Sequence, residues 1–196
     1  MIGKQAKVLS PGDQRRLLSA ARHGRLPERD RVMTLLAMRA GLRACEIAGL
    51  TWAMVLEPQG RLAPMIEVRS TIAKRGTGRR VPMHPQLAKA LLELRYQLPP
   101  EEVVPEAPVV RSLKGGPMRP NSVVNWFIAK SRAAGLEGCS SHSGRRTFIT
   151  NAARAVHRAG ASLRDVQMLA GHRSIETTQG YIDGSSEAQR KLVSLI

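Results

Sequence analysis

Acidic and aromatic residues are both scarce in this sequence. Against 31 Lys and Arg stand 15 Asp and Glu, giving a formal charge of +16 and a pI near 11.4 in a chain of 196 residues. So much self-repulsion does not favour folding and implies a polyanionic partner, nucleic acid first. Aromatic residues make up 3% of the chain (Trp52, Tyr96, Trp126, Phe127, Phe148 and Tyr181). That poverty argues against a single-strand binder built on base-stacking platforms and favours duplex DNA held through its phosphates. Long apolar runs are missing too, so no membrane span is expected, and the amino terminus has no hydrophobic signal region. A cytoplasmic protein is the expectation. The two cysteines, Cys45 and Cys139, make no disulfide framework and read as reduced, mostly buried thiols.

The 42% of hydrophobic residues suffice for a real core, and the length suits one domain. Of the 31 basic residues 24 are arginine, whose planar fork grips phosphate oxygens in pairs, although GC-rich coding would raise Arg as well.

Local signals predict a mainly α chain with one small antiparallel sheet, an α+β class. Ser10-Pro11-Gly12-Asp13 caps a first helix that Gly24 can end, and a second runs over Glu28–Ala40 to a left-handed stop at Gly41. A third covers Arg43–Leu50. Met65–Ile72 alternates like a half-buried strand and pairs with Arg79–Met83 across the turn Lys74–Gly78. Helix resumes at Pro85–Leu98. Pro99–Pro120 reads as an irregular connection with an extended piece at Val109–Val110. The remaining helices are predicted over Asn121–Ala134, Ser143–Ala159, Ser162–Ala170, Ile175–Tyr181 and about Ser186–Ile196.

Each residue able to do chemistry is weak evidence alone. Arg43 could meet phosphate at a helix start or simply pair with Glu46 three positions on. Lys74 sits at a basic hairpin tip, and His142-Ser-Gly-Arg145 puts imidazole and guanidinium on one helix face. Cys139-x-x-His142 has zinc-like spacing, but no second ligand pair accompanies it, so no metal is assigned.

Their order is more informative. Ala40-Gly-Leu-Arg43-Ala-Cys-Glu46-Ile-Ala-Gly-Leu50, Lys74 eight positions before Pro82, Ser141-His142-Ser-Gly-Arg145-Arg-Thr-Phe148, and Leu169-Ala-Gly-His172 with Tyr181 nine positions beyond it together resemble the tyrosine recombinase (phage integrase) family. The resemblance implies a catalytic domain spanning 1–196, without the clamp domain that most members carry ahead of the first arginine box. It implies a site-specific recombinase or integrase of a mobile element or inversion system. Such an enzyme cleaves and rejoins duplex DNA through a 3′-phosphotyrosyl intermediate at Tyr181, with no cofactor.

Arg43 and Arg145 would stabilise the transition-state charge and Lys74 would protonate the departing sugar oxygen. His142 would help move the Tyr181 proton or donate to phosphate, and His172 would hydrogen-bond the phosphate. Arg75, Arg79, Arg146 and Arg173 are expected at DNA phosphates, with solvated surface charge an equal reading for Arg146 and Arg173. The implied partners are double-stranded DNA, further protomers that join a solution monomer into a tetramer on DNA, and an accessory DNA-bending protein. Two alternatives stay open: a type IB topoisomerase-like strand transferase, and a catalytically inactive DNA-binding regulator of the same fold. The segment after Tyr181, with Leu192, Val193, Leu195 and Ile196, is expected to pack on a neighbouring subunit or on its own domain.

Overall fold

The computed structural model describes residues 6–181 together with Arg190, Val193 and Ser194, and Arg75 through its backbone. The expected DNA contact of Arg75 and the remainder of the expected final helix lie outside the described residues. Among the described residues no helix is long and apolar enough to cross a membrane.

Helix α1 (Pro11–Ala21) starts where its cap is written: the Ser10 hydroxyl accepts from the Asp13 amide, and the Asp13 carboxylate accepts from the Ser10 amide. Helix α2 (Pro27–Arg39) is the structural axis. Val32, Met33, Leu35, Leu36, Ala37 and Met38 are all buried, so the helix is apolar on nearly every side and is covered by α1, α4 (Pro85–Tyr96) and α6 (Ser141–Ala155). Gly41 ends it with φ +64°, and a Cβ there would lie 2.3 Å from the Phe148 ring. Only glycine meets both conditions. The chain then re-enters helix at α3 (Ala44–Gly49), which packs on α5 (Pro120–Ala133).

Strands β1 (Met65–Val68) and β2 (Arg79–Pro82) form the expected antiparallel pair, with Ile66 opposite Val81 and Val68 opposite Arg79. The first strand stops four residues short of Ile72. The Arg69 carbonyl accepts from the amides of Ile72 and Ala73, closing a turn that sends Ile72 onto Gly49 of α3. Lys74–Gly76 follows as a single 3₁₀ turn.

The connection from Pro99 holds a second small hairpin that periodicity does not reveal, β3 (Arg111–Ser112) with β4 (Gly115–Pro117). Val109 and Val110 are buried as an extended piece, and the Val109 amide donates to the Leu50 carbonyl. Helix α6 begins two residues earlier than predicted because Ser140, in a reciprocal cap with Ser143, takes the capping role. Gly144 lets α6 approach α2, since a Cβ there would lie 2.8 Å from that of Ala37. Short helices α7 (Leu163–Ala170) and α8 (Ile175–Gln179) close the continuous stretch that ends at Tyr181, joined through left-handed Gly171 at φ 62°. The observed class is the predicted one, mostly helical with small antiparallel sheets.

Candidate active site

A cavity of about 690 Å³ is lined by Arg43, Lys74, His142, Arg145, His172 and Tyr181, the full set singled out from sequence, together with Arg146 and Cys45. They come from the start of α3, the turn between β1 and β2, the first two turns of α6, the link between α7 and α8, and the chain just after α8.

The floor of the cavity is a buried charge network. Glu46, fully buried, accepts four hydrogen bonds: from Arg43 Nη1 (2.9 Å) and Arg79 Nη1 (2.8 Å) on Oε1, and from the Arg43 amide (2.8 Å) and Arg79 Nη2 (2.9 Å) on Oε2. Burial by itself would raise its carboxyl, but Arg79, through hydrogen bonds and charge, and then Arg43 hold it down at about 2. Arg43 reaches on toward the Gly171 carbonyl at 3.5 Å.

Arg79 corrects an expectation. Its side chain is 5% exposed, and its Nε–H donates to the Leu169 carbonyl at 2.8 Å while both Nη atoms serve Glu46. With its fork committed inside the protein, it braces the hairpin against α3 and α7 and has no face for DNA.

Arg145 is held from three sides. It donates to the Gly41 carbonyl, to the Ala170 carbonyl (2.6 Å) and to His172 Nε2 (3.2 Å). Burial, reinforced by the Arg43 and Arg79 charges, lowers it to about 10, leaving it cationic at neutral pH. The hydrogen bond to Nε2 makes that nitrogen the acceptor, so the proton of neutral His172 sits on Nδ1 and points at Thr178 Oγ1, 3.0 Å away. Burial first, and then the charges of Arg145, Arg43 and Arg79, push His172 down to about 4. Gln167 donates to the His172 carbonyl and fixes its backbone.

The Tyr181 ring stacks on His172 with centroids 5.4 Å apart and planes at 26°, and the Arg146 guanidinium carbon lies 5.4 Å from the ring centroid. Lys74 and His142 are exposed on the rim, as is Arg173 outside it. Arg79, Gln167 and Thr178 were missed as supports of the site. Their partners lie on other elements, apart from the Gln167–His172 contact within one turn of chain, and a Gln five positions before a histidine is too common to signal anything. Cys139 is buried with Leu9, Leu17, Met38 and Leu136, apart from the cavity lining.

A model described as the phage integrase family matches residues 7–187. Curated proteins similar to the chain include the tyrosine recombinase XerC of Brucella suis biovar 1 (strain 1330), 31% identical over 182 residues, covering 89% of this chain and 54% of that protein. XerC of Rhizobium meliloti (strain 1021) is 35% identical over 152 residues, 76% of this chain and 43% of that protein. The chain thus spans about half the length of the curated relatives it matches. Among solved structures, the XerA recombinase aligns over 100% of this chain and 65% of its own at 24% identity and TM-score 0.71. The XerH site-specific recombinase bound to palindromic difH substrate, a post-cleavage complex, aligns over 98% and 53% at 19% identity and TM-score 0.74. At these identities the structural likeness is one of fold.

Proposed function

The chain belongs to the phage integrase family, and we propose on that premise that it acts as the catalytic domain of a site-specific DNA recombinase. The observation that carries the reading is the convergence of six side chains, scattered over 139 sequence positions from Arg43 to Tyr181, on one cavity. The relatives' names and the DNA-bound recombinase of like fold support it. A catalytically dead regulator would have no use for the complete set, and the integrase-like boxes count against a topoisomerase.

In this reading the scissile phosphate enters between Arg43 and Arg145, both of which line the cavity. Tyr181 Oη attacks phosphorus, the bond from phosphorus to the 5′ oxygen breaks, and the phosphate stays on the 3′ strand as a tyrosyl ester. The 5′ oxygen leaves with a proton from Lys74, and His142 on the rim receives or relays the phenol proton. Attack by a 5′ hydroxyl from a partner duplex reverses these steps and releases Tyr181. The two arginine forks meet the charge that develops on the non-bridging oxygens. His172 acts through Arg145, and donates to phosphate only after giving up its present bond from that guanidinium. Duplex DNA is the substrate, and a tetramer of protomers on two duplexes, with an accessory bending protein, is the assembly the family implies.

The test is a library of duplexes with a randomised core and a nick in one strand, which traps the tyrosyl ester because the small cleaved piece diffuses away. A protein–DNA adduct stable to denaturation, enriched for one sequence and absent from Tyr181→Phe, is expected. An adduct that persists in Tyr181→Phe would remove Tyr181 from its role. Relaxation of supercoiled plasmid irrespective of sequence would favour the topoisomerase reading.

A further inference from the structure

We propose that Arg146 is a positioning residue for the nucleophile, holding the Tyr181 ring in the cavity through its guanidinium. The proposal rests on the reading of Tyr181 as nucleophile and goes beyond it.

Arg145 and Arg146 are consecutive on α6, so their side chains diverge by about 100° around the helix. Arg145 turns inward to the Gly41 and Ala170 carbonyls. Arg146, half-buried in the cavity wall, turns to the Tyr181 ring. Among the described residues no carboxylate pairs with it, and the nearest π face is that of Tyr181. The separation of 5.4 Å lies inside the range in which a cation over an aromatic ring is attracted to its face.

The rest of the anchorage of Tyr181 is backbone hydrogen bonding and packing on one side of the residue. Its amide donates to the Thr178 carbonyl (3.0 Å), its carbonyl accepts from Thr150 Oγ1 at 3.4 Å, its ring rests on His172, and the residue packs against the cluster of Ile149, Ala153, Val166 and Ala170. Helix α8 has five residues and holds nothing rigidly by itself. A cation beside the ring therefore does two things: it holds the ring in the cavity that Arg43 and Arg145 also line, and it complements the negative charge that the tyrosine oxygen carries as it attacks. Lysine retains the charge over the ring, while glutamine of similar reach does not.

The experiment compares wild type, Arg146→Lys and Arg146→Gln on the enriched nicked duplex, measuring the single-turnover rate of adduct formation against DNA concentration. In parallel, 3-fluorotyrosine is placed at Tyr181 in a Tyr96→Phe background, and its fluorine resonance is recorded without DNA. Arg146→Gln is expected to lower the saturating rate about tenfold while moving the half-saturating DNA concentration less than threefold. Arg146→Lys should restore most of the rate, and the fluorine resonance should shift in the glutamine variant and only slightly in the lysine variant. A saturating rate at or above wild type in Arg146→Gln, or an unshifted resonance, would overturn this proposal alone and leave Arg146 as a phosphate contact. A wild type that forms no adduct, or an adduct that survives Tyr181→Phe, would instead overturn the nucleophile assignment, and this proposal with it.

Discussion

The two halves of the cavity are built differently. Arg43 and Arg145 stand on a scaffold of buried partners, with Glu46 and Arg79 beneath one and the carbonyls of Gly41 and Ala170 around the other. Lys74 and His142 stand on the rim, exposed, with no side-chain partner among the described residues. Charge stabilisation gains from fixed dipoles that need no reorganisation when the charge appears. Proton transfer needs a group that can approach a departing atom, and Lys74 on a one-turn hairpin tip is free to do so. The braced half is thus formed in the chain by itself, and in the proposed reaction it is bound DNA that completes the open half.

Substitutions for catalysis should separate these halves most strongly. Lys74→Ala is expected to slow adduct formation by about 10²–10⁴-fold on an ordinary phosphodiester, and to recover on a duplex whose 5′ bridging oxygen is sulfur, a leaving group that departs without a proton. Arg43→Ala should lose about 10²–10³-fold on both substrates. Equal recovery of the two variants on the sulfur duplex would dissolve the distinction.

In stability the order reverses. Glu46→Gln leaves two buried or half-buried guanidinium groups uncompensated and is expected to cost about 3–5 kcal/mol in urea unfolding. Lys74→Ala should stay within about 0.5 kcal/mol of wild type. A Glu46→Gln protein that unfolds at the wild-type urea midpoint would show that the floor of the site is no scaffold. Gly41→Ala, which places a methyl against the Phe148 ring at a positive φ, should cost about 2–4 kcal/mol and displace the carbonyl that holds Arg145.

A further effect, centred on the braced half, is one of pH. His172 stays neutral down to about 4 in the folded chain but takes up its proton near 6.5 when unfolded, so stability is full above 6.5 and declines as pH falls from there to 4. His84, lowered by burial and by Arg39, works in the same direction. Glu46, ordinarily near 4.5 and held at about 2, adds its loss below pH 4.5. Urea midpoints at pH 8, 6.5 and 5 should fall less steeply in His172→Gln than in wild type. Parallel slopes would show that His172 is not the group that senses acid.

The divide also marks what could be read from sequence. The start of α1 was legible because Ser10, Pro11 and Asp13 act on backbone within one turn, and the pairing of Arg43 with Glu46 because three positions on a helix bring them together; the helix stops at Ala21, before the expected Gly24. The six cavity residues were legible as an ordered pattern, although only the fold brings them to one place. Arg79 was not legible: 33 positions separate it from Glu46, and nothing local distinguishes an arginine that enters the protein from one that leaves it. The same holds for β3 and β4, whose glycine-rich turn lacks the alternation by which strands are found, and for the early end of β1, decided by where Ile72 finds a surface on α3.

Arg145 ties the turn after α2 to the end of α7, and so does structural work whether or not DNA is cut. Lineages that abandon catalysis but keep the fold have an unequal choice of which residue to let drift. Lys74 and His142 can be lost at no structural cost, and Arg145 cannot. A decayed relative of this chain should therefore keep the arginine that matches Arg145 long after the lysine that matches Lys74 has gone, so the presence of that arginine is poor evidence that such a relative still recombines anything.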